Sequence, residues 1–208
     1  MRDAIRQDEY PAMPGSDVAG VEEQRSSPRL TLLIRAAKVI TAEGEFLCVI
    51  RDASETGISL RVFHPLPQGA DIVVELQNGD RYLAEIVWQE EERVGMRFTA
   101  PADISRIIES PSRFAKRSIR LNVDARAVVT SLRGADNVVI RNISQQGASI
   151  ECRTRYAIDE RVKLKARGLA ETSAKVRWRK DSMVGLAFED TYQFGELARI
   201  VRMLGRNN

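Results

Sequence analysis

The chain is poor in the residues that carry most protein chemistry. In 208 residues it has one histidine and two cysteines. Cys48 and Cys152 supply neither a disulfide framework nor a four-ligand zinc cluster. Reduced, and packed as small apolar groups, they need no further role. The lone histidine, His64, stands in Phe63-His64-Pro65-Leu66-Pro67, a turn between expected strands, and reads as a surface residue rather than a base. No Cys/His pair, metal-ligand spacing or phosphate-binding loop is present, and no acid/base pair is in evidence. Long apolar runs are missing as well. No stretch approaches the ~18 consecutive apolar residues of a membrane span. The opening MRDAIRQDEYPAMPGSDVAG has no apolar core of signal-peptide type. The expectation is a cytoplasmic protein that is not an enzyme, holds no metal or cofactor and does not insert into a membrane.

What is present is charge, unevenly placed. The net of +3 is the balance of two opposite halves. Residues 1–112 hold 12 Lys/Arg and 19 Asp/Glu, a net of −7, whereas residues 113–208 hold 20 and 10, a net of +10. A basic half attracts anionic ligands or surfaces, docks on the acidic half, or is simply a solvated face. Sign alone does not choose among these.

The chain repeats itself. Asp52-Ala53-Ser54-Glu55-Thr56-Gly57 has its counterpart 90 residues on, in Asn142-Ile143-Ser144-Gln145-Gln146-Gly147. The only two tryptophans, Trp88 and Trp178, keep the same offset, as do Gly95 and Gly185, and Phe98 and Phe188. Upstream, Arg29-Leu30 aligns with Arg120-Leu121 and Arg35 with Arg126 at an offset of 91, so a single-residue indel lies in between. Two homologous units follow, each near the lower size at which a domain sustains its own core. The expected boundaries are a disordered tail over 1–24, a first unit over 25–112 and a second over 113–208.

Each unit reads as strands. In the first, the segments 30–34, 46–50, 58–62, 72–76, 82–88 and 94–98 are short, rich in β-branched and aromatic residues, and separated by Glu43-Gly44, Gln68-Gly69 and Asn78-Gly79-Asp80. Short strands at regular spacing without intervening helices predict a mainly β protein made of two small antiparallel β-barrels. A short helix is expected after each. One lies between Pro101 and Pro111, with apolar residues at 104, 107 and 108. The other carries an apolar stripe at 197, 200, 201 and 204. Both are expected to pack on their own unit. The run Glu90-Glu91-Glu92 reads as a solvated hairpin tip.

Closely spaced basic residues open each unit. They are Arg25 and Arg29 in the first, and Arg113, Lys116, Arg117 and Arg120 in the second. Each unit then places Asp/Asn-x-Ser-x-x-Gly between its second and third strands: Asp52, Ser54 and Gly57, then Asn142, Ser144 and Gly147. This order resembles the PilZ domain family, bacterial receptors for cyclic di-GMP. Their pattern is Arg-x-x-x-Arg, a gap of some twenty to thirty residues, and Asp/Asn-x-Ser-x-x-Gly. The first unit matches in full, and Trp88, Gly95 and Phe98 resemble the family's closing hairpin. In the second unit, alignment of Arg120 with Arg29 puts Lys116 at the first arginine, and a lysine cannot form the planar fork. Alternatively Arg113 and Arg117 form the motif, three residues further from the strand.

The ligand's chemistry suits these residues. Guanine presents O6 and N7 acceptors that a guanidinium binds bidentately, and the guanidinium plane stacks on a purine face. Arginine forks also suit phosphate oxygens. A carboxylate such as that of Asp52 accepts guanine N1–H and N2–H, and Asn142 accepts through its neutral amide oxygen. Ser54 and Ser144 offer a hydroxyl to phosphate, and the two glycines permit a tight turn and close backbone approach. Taken alone, Asp/Asn-x-Ser-x-x-Gly is a glycine-capped Asx or ST turn.

The resemblance implies a non-catalytic cyclic di-GMP receptor that transmits binding to a downstream protein partner in motility, exopolysaccharide synthesis or biofilm control. The competing reading is a protein–protein adaptor in which one or both units no longer bind nucleotide. Nonspecific nucleic-acid binding by the basic half is disfavoured. Single-strand binders interleave aromatic platforms with basic grooves. Of the aromatics of this half, Phe114, Tyr156, Trp178, Phe188, Tyr192 and Phe194, several read as core or helix-packing residues.

Overall fold

A computed structural model describes residues 30–69, 71–109 and 118–205. The tail over 1–24, and with it Arg25 and Arg29, lies outside the described residues, as do Arg113, Lys116 and Arg117.

The first unit runs β1 (Leu30–Thr41), β2 (Gly44–Ala53), β3 (Gly57–Val62), β4 (Ile72–Leu76), β5 (Arg81–Glu90), β6 (Arg93–Phe98) and α1 (Ile104–Glu109). The second repeats this as β7 (Leu121–Ser131), β8 (Gly134–Ser144), β9 (Gly147–Glu151), β10 (Arg161–Ala166), β11 (Leu169–Lys180), β12 (Met183–Phe188) and α2 (Phe194–Gly205). Each set of six strands is antiparallel and closes into a barrel, in the order β1-β2-β3-β6-β5-β4 and β7-β8-β9-β12-β11-β10. The expected architecture of two small barrels, each followed by a helix, is the one observed. Closure leaves neither unit an open sheet edge. β1 is longer than its sequence pattern suggested: it runs on to Thr41, with Ala37 and Val39 fully buried.

The repeat offset needs one correction. Leu30 pairs with Ala53 as Leu121 pairs with Ile143, which keeps the offset of 91 at the start of the strand. Beyond it, Arg35 pairs with Ile50 as Ala125 pairs with Ile140. Arg35 is therefore the counterpart of Ala125, not of Arg126. The extra residue is absorbed in a bulge between Thr31 and Arg35, where the second unit has a shorter irregularity between Asn122 and Ala125. An arginine thus stands where the second barrel has a buried alanine. Its Nη1 is buried and finds no hydrogen-bond partner among the described residues.

The helices differ in what they cover. α1 packs on its own barrel through Ile104 and Ile107. The buried residues of α2 are Leu197, Ala198, Ile200, Val201 and Leu204, an arc of about 160° at 3.6 residues per turn. That is too wide for one surface. α2 lies against β7 of its own unit and also against β2 of the first, which corrects the expectation that it packs on its own unit alone. β2 records the consequence. Leu47, Cys48, Val49 and Ile50 are buried in succession, because both faces of the strand are covered there. Cys48 and Ile50 belong to the core of the first barrel, while Leu47, with Ala36 and Phe63 beside it, belongs to that of the second.

Charge crosses the same junction. Lys38, on β1, is 6% exposed, and its Nζ lies 3.0 Å from a carboxylate oxygen of Glu45 and 3.2 Å from one of Glu75. Glu45 in turn accepts the backbone N–H and the side-chain amide of Asn122, each at 2.8 Å. Lys38 also donates to the carbonyl of Arg120 at 3.3 Å.

His64 sits here too, and it is not a plain surface residue. It is half-buried against Phe46, with ring centroids 5.4 Å apart, in a cleft that also contains Arg202 of α2. Burial, and then the charge of Arg202, lower its pKa below the ordinary 6.5. A depressed histidine pKa means the folded state prefers the neutral ring. The stability it supports is present above pH 6.5 and is lost as pH falls through and below that value.

Two outcomes follow from the shared junction. Leu47→Ala, though on a strand of the first barrel, opens the core of the second and lowers stability by about 2–5 kcal/mol in chemical denaturation followed by Trp fluorescence. The denaturation midpoint of the native chain falls between about pH 7.5 and 5.5, and His64→Gln makes that fall shallower.

Candidate functional site

The two Asp/Asn-x-Ser-x-x-Gly segments are the β2–β3 and β8–β9 turns, and both are held from several sides. Ser54 N–H donates to the Gly57 carbonyl at 2.8 Å, and the Ser54 hydroxyl reaches the same oxygen at 3.4 Å. The Ser144 hydroxyl does likewise to the Gly147 carbonyl at 3.2 Å. Both serines are buried, with their hydroxyls turned into the loop. The loop carbonyls are bound by the chain that leaves β6 and β12 at the same end of each barrel. Phe98 and Ala102 N–H donate to Thr56 and Glu55, and Phe188 and Tyr192 N–H donate to Gln146 and Gln145.

The glycines answer a packing demand. A Cβ on Gly57 would lie 2.6 Å from the Met96 carbonyl of β6, and one on Gly147 would overlap the Leu186 carbonyl of β12. Next to these turns each barrel carries one cross-strand row. In the first, Asp52 pairs with Ser59, Ser59 with Gly95, and Gly95 with Trp88. In the second, Asn142 pairs with Ser149, Ser149 with Gly185, and Gly185 with Trp178. A bulge precedes each tryptophan and lays its indole flat over the glycine, so that a Cβ there would overlap the ring. The row therefore holds an acceptor, a hydroxyl, bare backbone and an aromatic ring.

The two surroundings differ. In the second unit, Arg120, Asn142, Ser144 and Gly147 line one depression of about 370 Å³, together with Arg177 and Trp178. Trp178 is 41% exposed and forms a wall of this depression. In the first unit, Asp52 lines a wider groove of about 1010 Å³ with Arg51, Arg61 and Arg93, closed on one side by Glu90, Glu91 and Glu92. Arg61 pairs with Glu92 at 2.9 Å, and the Arg93 guanidinium lies 5.7 Å from the Trp88 ring centre. Ser54 and Gly57 do not line this groove; they belong to the turn itself.

The family model of the PilZ domain matches residues 23–109 and again 112–206. The chain belongs to the PilZ domain family. No curated protein matches it in sequence. Among solved structures, Bacillus subtilis MotI/DgrA, an inhibitor of motility, is 14% identical, with 83% of this chain and 96% of that one covered and a TM-score of 0.37. Borreliella burgdorferi PlzA in complex with c-di-GMP is 10% identical over 82% and 86%, at 0.34. Escherichia coli YcgR, also in complex with c-di-GMP, is 9% identical over 83% and 81%, at 0.31.

Sequence reasoning passed over three features of the PilZ sites. Ser59 and Ser149 were visible as a serine two places after each motif glycine, in Gly57-Ile58-Ser59 and Gly147-Ala148-Ser149. Ser59 is 3% exposed and its hydroxyl has no partner among the described residues. The tryptophans marked the repeat, but nothing in the sequence aimed them at the motif. Arg177 had no signal at all, since its counterpart in the first PilZ unit is Val87, 61% exposed.

The cysteines stay out of this chemistry. Burial pushes both thiols up, that of Cys48 strongly, which leaves no thiolate for attack near neutral pH. Among the described residues no group of His, Cys, Asp and Glu is arranged to hold a metal ion, and no helix is long and apolar enough to cross a membrane.

Gly185→Ala tests the row directly. The added methyl displaces the Trp178 indole and leaves the barrel folded by far-UV circular dichroism, while the indole's near-UV signal is lost.

Proposed function

We propose that this chain is a non-catalytic, cytoplasmic cyclic di-GMP receptor whose two PilZ units each offer a nucleotide site. The observation that carries the reading is the second unit's depression. There Arg120 and Arg177, the Asn142 amide and the exposed face of Trp178 converge on one small space. That set matches a guanine nucleotide dianion. Arginine serves phosphate oxygens or the O6/N7 edge, the amide oxygen accepts from the base, and the indole offers a stacking face. In this reading Ser144 and Gly147 shape the turn that presents Asn142, as Ser54 and Gly57 do for Asp52.

In the first unit Asp52 is the stronger acceptor, being charged. Arg25 and Arg29 complete that site by the family's Arg-x-x-x-Arg pattern. Lys116 and Arg120, or Arg113 and Arg117, do the same in the second. A downstream protein partner in motility, exopolysaccharide or biofilm control reads ligand binding at these sites.

Calorimetric titration with cyclic di-GMP, with GTP as control, tests this. Wild type binds cyclic di-GMP and not GTP. Arg29→Ala and Arg120→Ala each remove part of the heat, each weakening its own site by about 10–100-fold, the scale of a lost charge-assisted contact. A folded wild type that binds nothing up to about millimolar ligand overturns the receptor reading in favour of a protein adaptor.

A further inference from the structure

The charged bridge at the junction is not part of what the two units share. At the repeat offset of 90, the counterparts of Lys38, Glu45 and Glu75 are Val128, Ala135 and Lys165. The bridge occurs at one place, where the first barrel meets the opening residues of the second. It is also well buried, with the side chains of Lys38 and Glu45 only 8% and 11% exposed. Charges taken this far from water persist only where their partners are fixed.

What the bridge holds is specific. Lys38 grips the carbonyl of Arg120, and Glu45 takes both the backbone and the side-chain N–H of Asn122. Arg120 lines the second unit's depression. Asn122 is the direct cross-strand partner of Asn142, the motif residue of that same depression. Both polar ends of the site are therefore tied to backbone that the first unit holds. β7 begins at Leu121, between the two gripped residues, and the strand's own irregularity between Asn122 and Ala125 leaves this end short of ladder bonds.

We propose that Lys38 and Glu45 are positioning residues for the second unit's pocket. They set the backbone of residues 120–122, so that this pocket takes its binding geometry only against the first unit. The inference rests on the reading of that pocket as a nucleotide site. By linkage, an anion that draws on Arg120 also tightens the junction.

The test uses the full chain with one site silenced at a time. Asp52→Ala leaves the second pocket to be measured alone, and Arg120→Ala leaves the first. In the Asp52→Ala chain, adding Glu45→Ala lowers cyclic di-GMP affinity by about tenfold, and adding Asn122→Ala lowers it by less. In the Arg120→Ala chain, Glu45→Ala leaves affinity unchanged. Hydrogen exchange at the Asn122 amide quickens in the Glu45→Ala chain, while that of Val129 and Leu164 in the barrel core does not. Unchanged second-pocket affinity, or equal loss at both pockets with faster core exchange, overturns the positioning role. An Asp52→Ala chain that binds nothing overturns the reading of the pocket itself, and the inference falls with it.

Discussion

In each barrel the site depends on two places where one strand passes another too closely for a side chain. At Gly57 and Gly147 the neighbouring strand's carbonyl fills the space of a Cβ, and at Gly95 and Gly185 an indole does. Protein interiors are packed densely enough that such contacts cannot be relaxed by small shifts. The first contact draws the motif turn onto β6 or β12. The second lays Trp88 or Trp178 across the sheet toward the motif's Asp or Asn. Four glycines thus convert an ordinary barrel wall into a surface with an acceptor at one end of a row and an aromatic ring at the other.

Built on that common frame, the two units have diverged chemically. The first sets a charged Asp52 among Arg51, Arg61 and Arg93, with an acidic tip closing the groove. The second has neutral Asn142, but adds Arg177 where the first has an exposed valine. Arg35 replaces a buried alanine at the start of the first barrel only, and brings a buried guanidinium nitrogen without a described partner. Asp52, Asn142 and Arg177 line the two depressions, whereas Arg35 stands at a position that the second barrel fills with the buried Ala125.

The units are joined by a mixed interface. Leu47 of the first barrel is part of the second barrel's core, and α2 covers both. Apolar contact of this kind supplies adhesion but little direction. The Lys38–Glu45 bridge adds directed hydrogen bonds, to the carbonyl of Arg120 and to the amides of Asn122.

Much of this was legible in the chain itself. Period-two alternation and turn residues marked the strands, and the 90-residue echo of motif, tryptophan and glycine marked two copies, because both signals are local in sequence. The motif residues and the basic segments before each unit were readable for the same reason, as was the shift in charge between the halves. Tertiary structure decided the rest. Aligned on arginine, the repeat put Arg35 with Arg126, and only strand pairing showed the bulge that moves it onto Ala125. The helical period of α2 revealed an apolar stripe, but a stripe carries no record of how many surfaces will cover it. Trp178 was readable only as a mark of the repeat, and strand pairing showed the bulge that sets its ring over a glycine. Lys38, Glu45 and Asn122 are unremarkable polar residues far apart along the chain; they became one buried bridge only when closure of two barrels brought them together, because burial and pairing are properties of the packed molecule and not of any stretch of it.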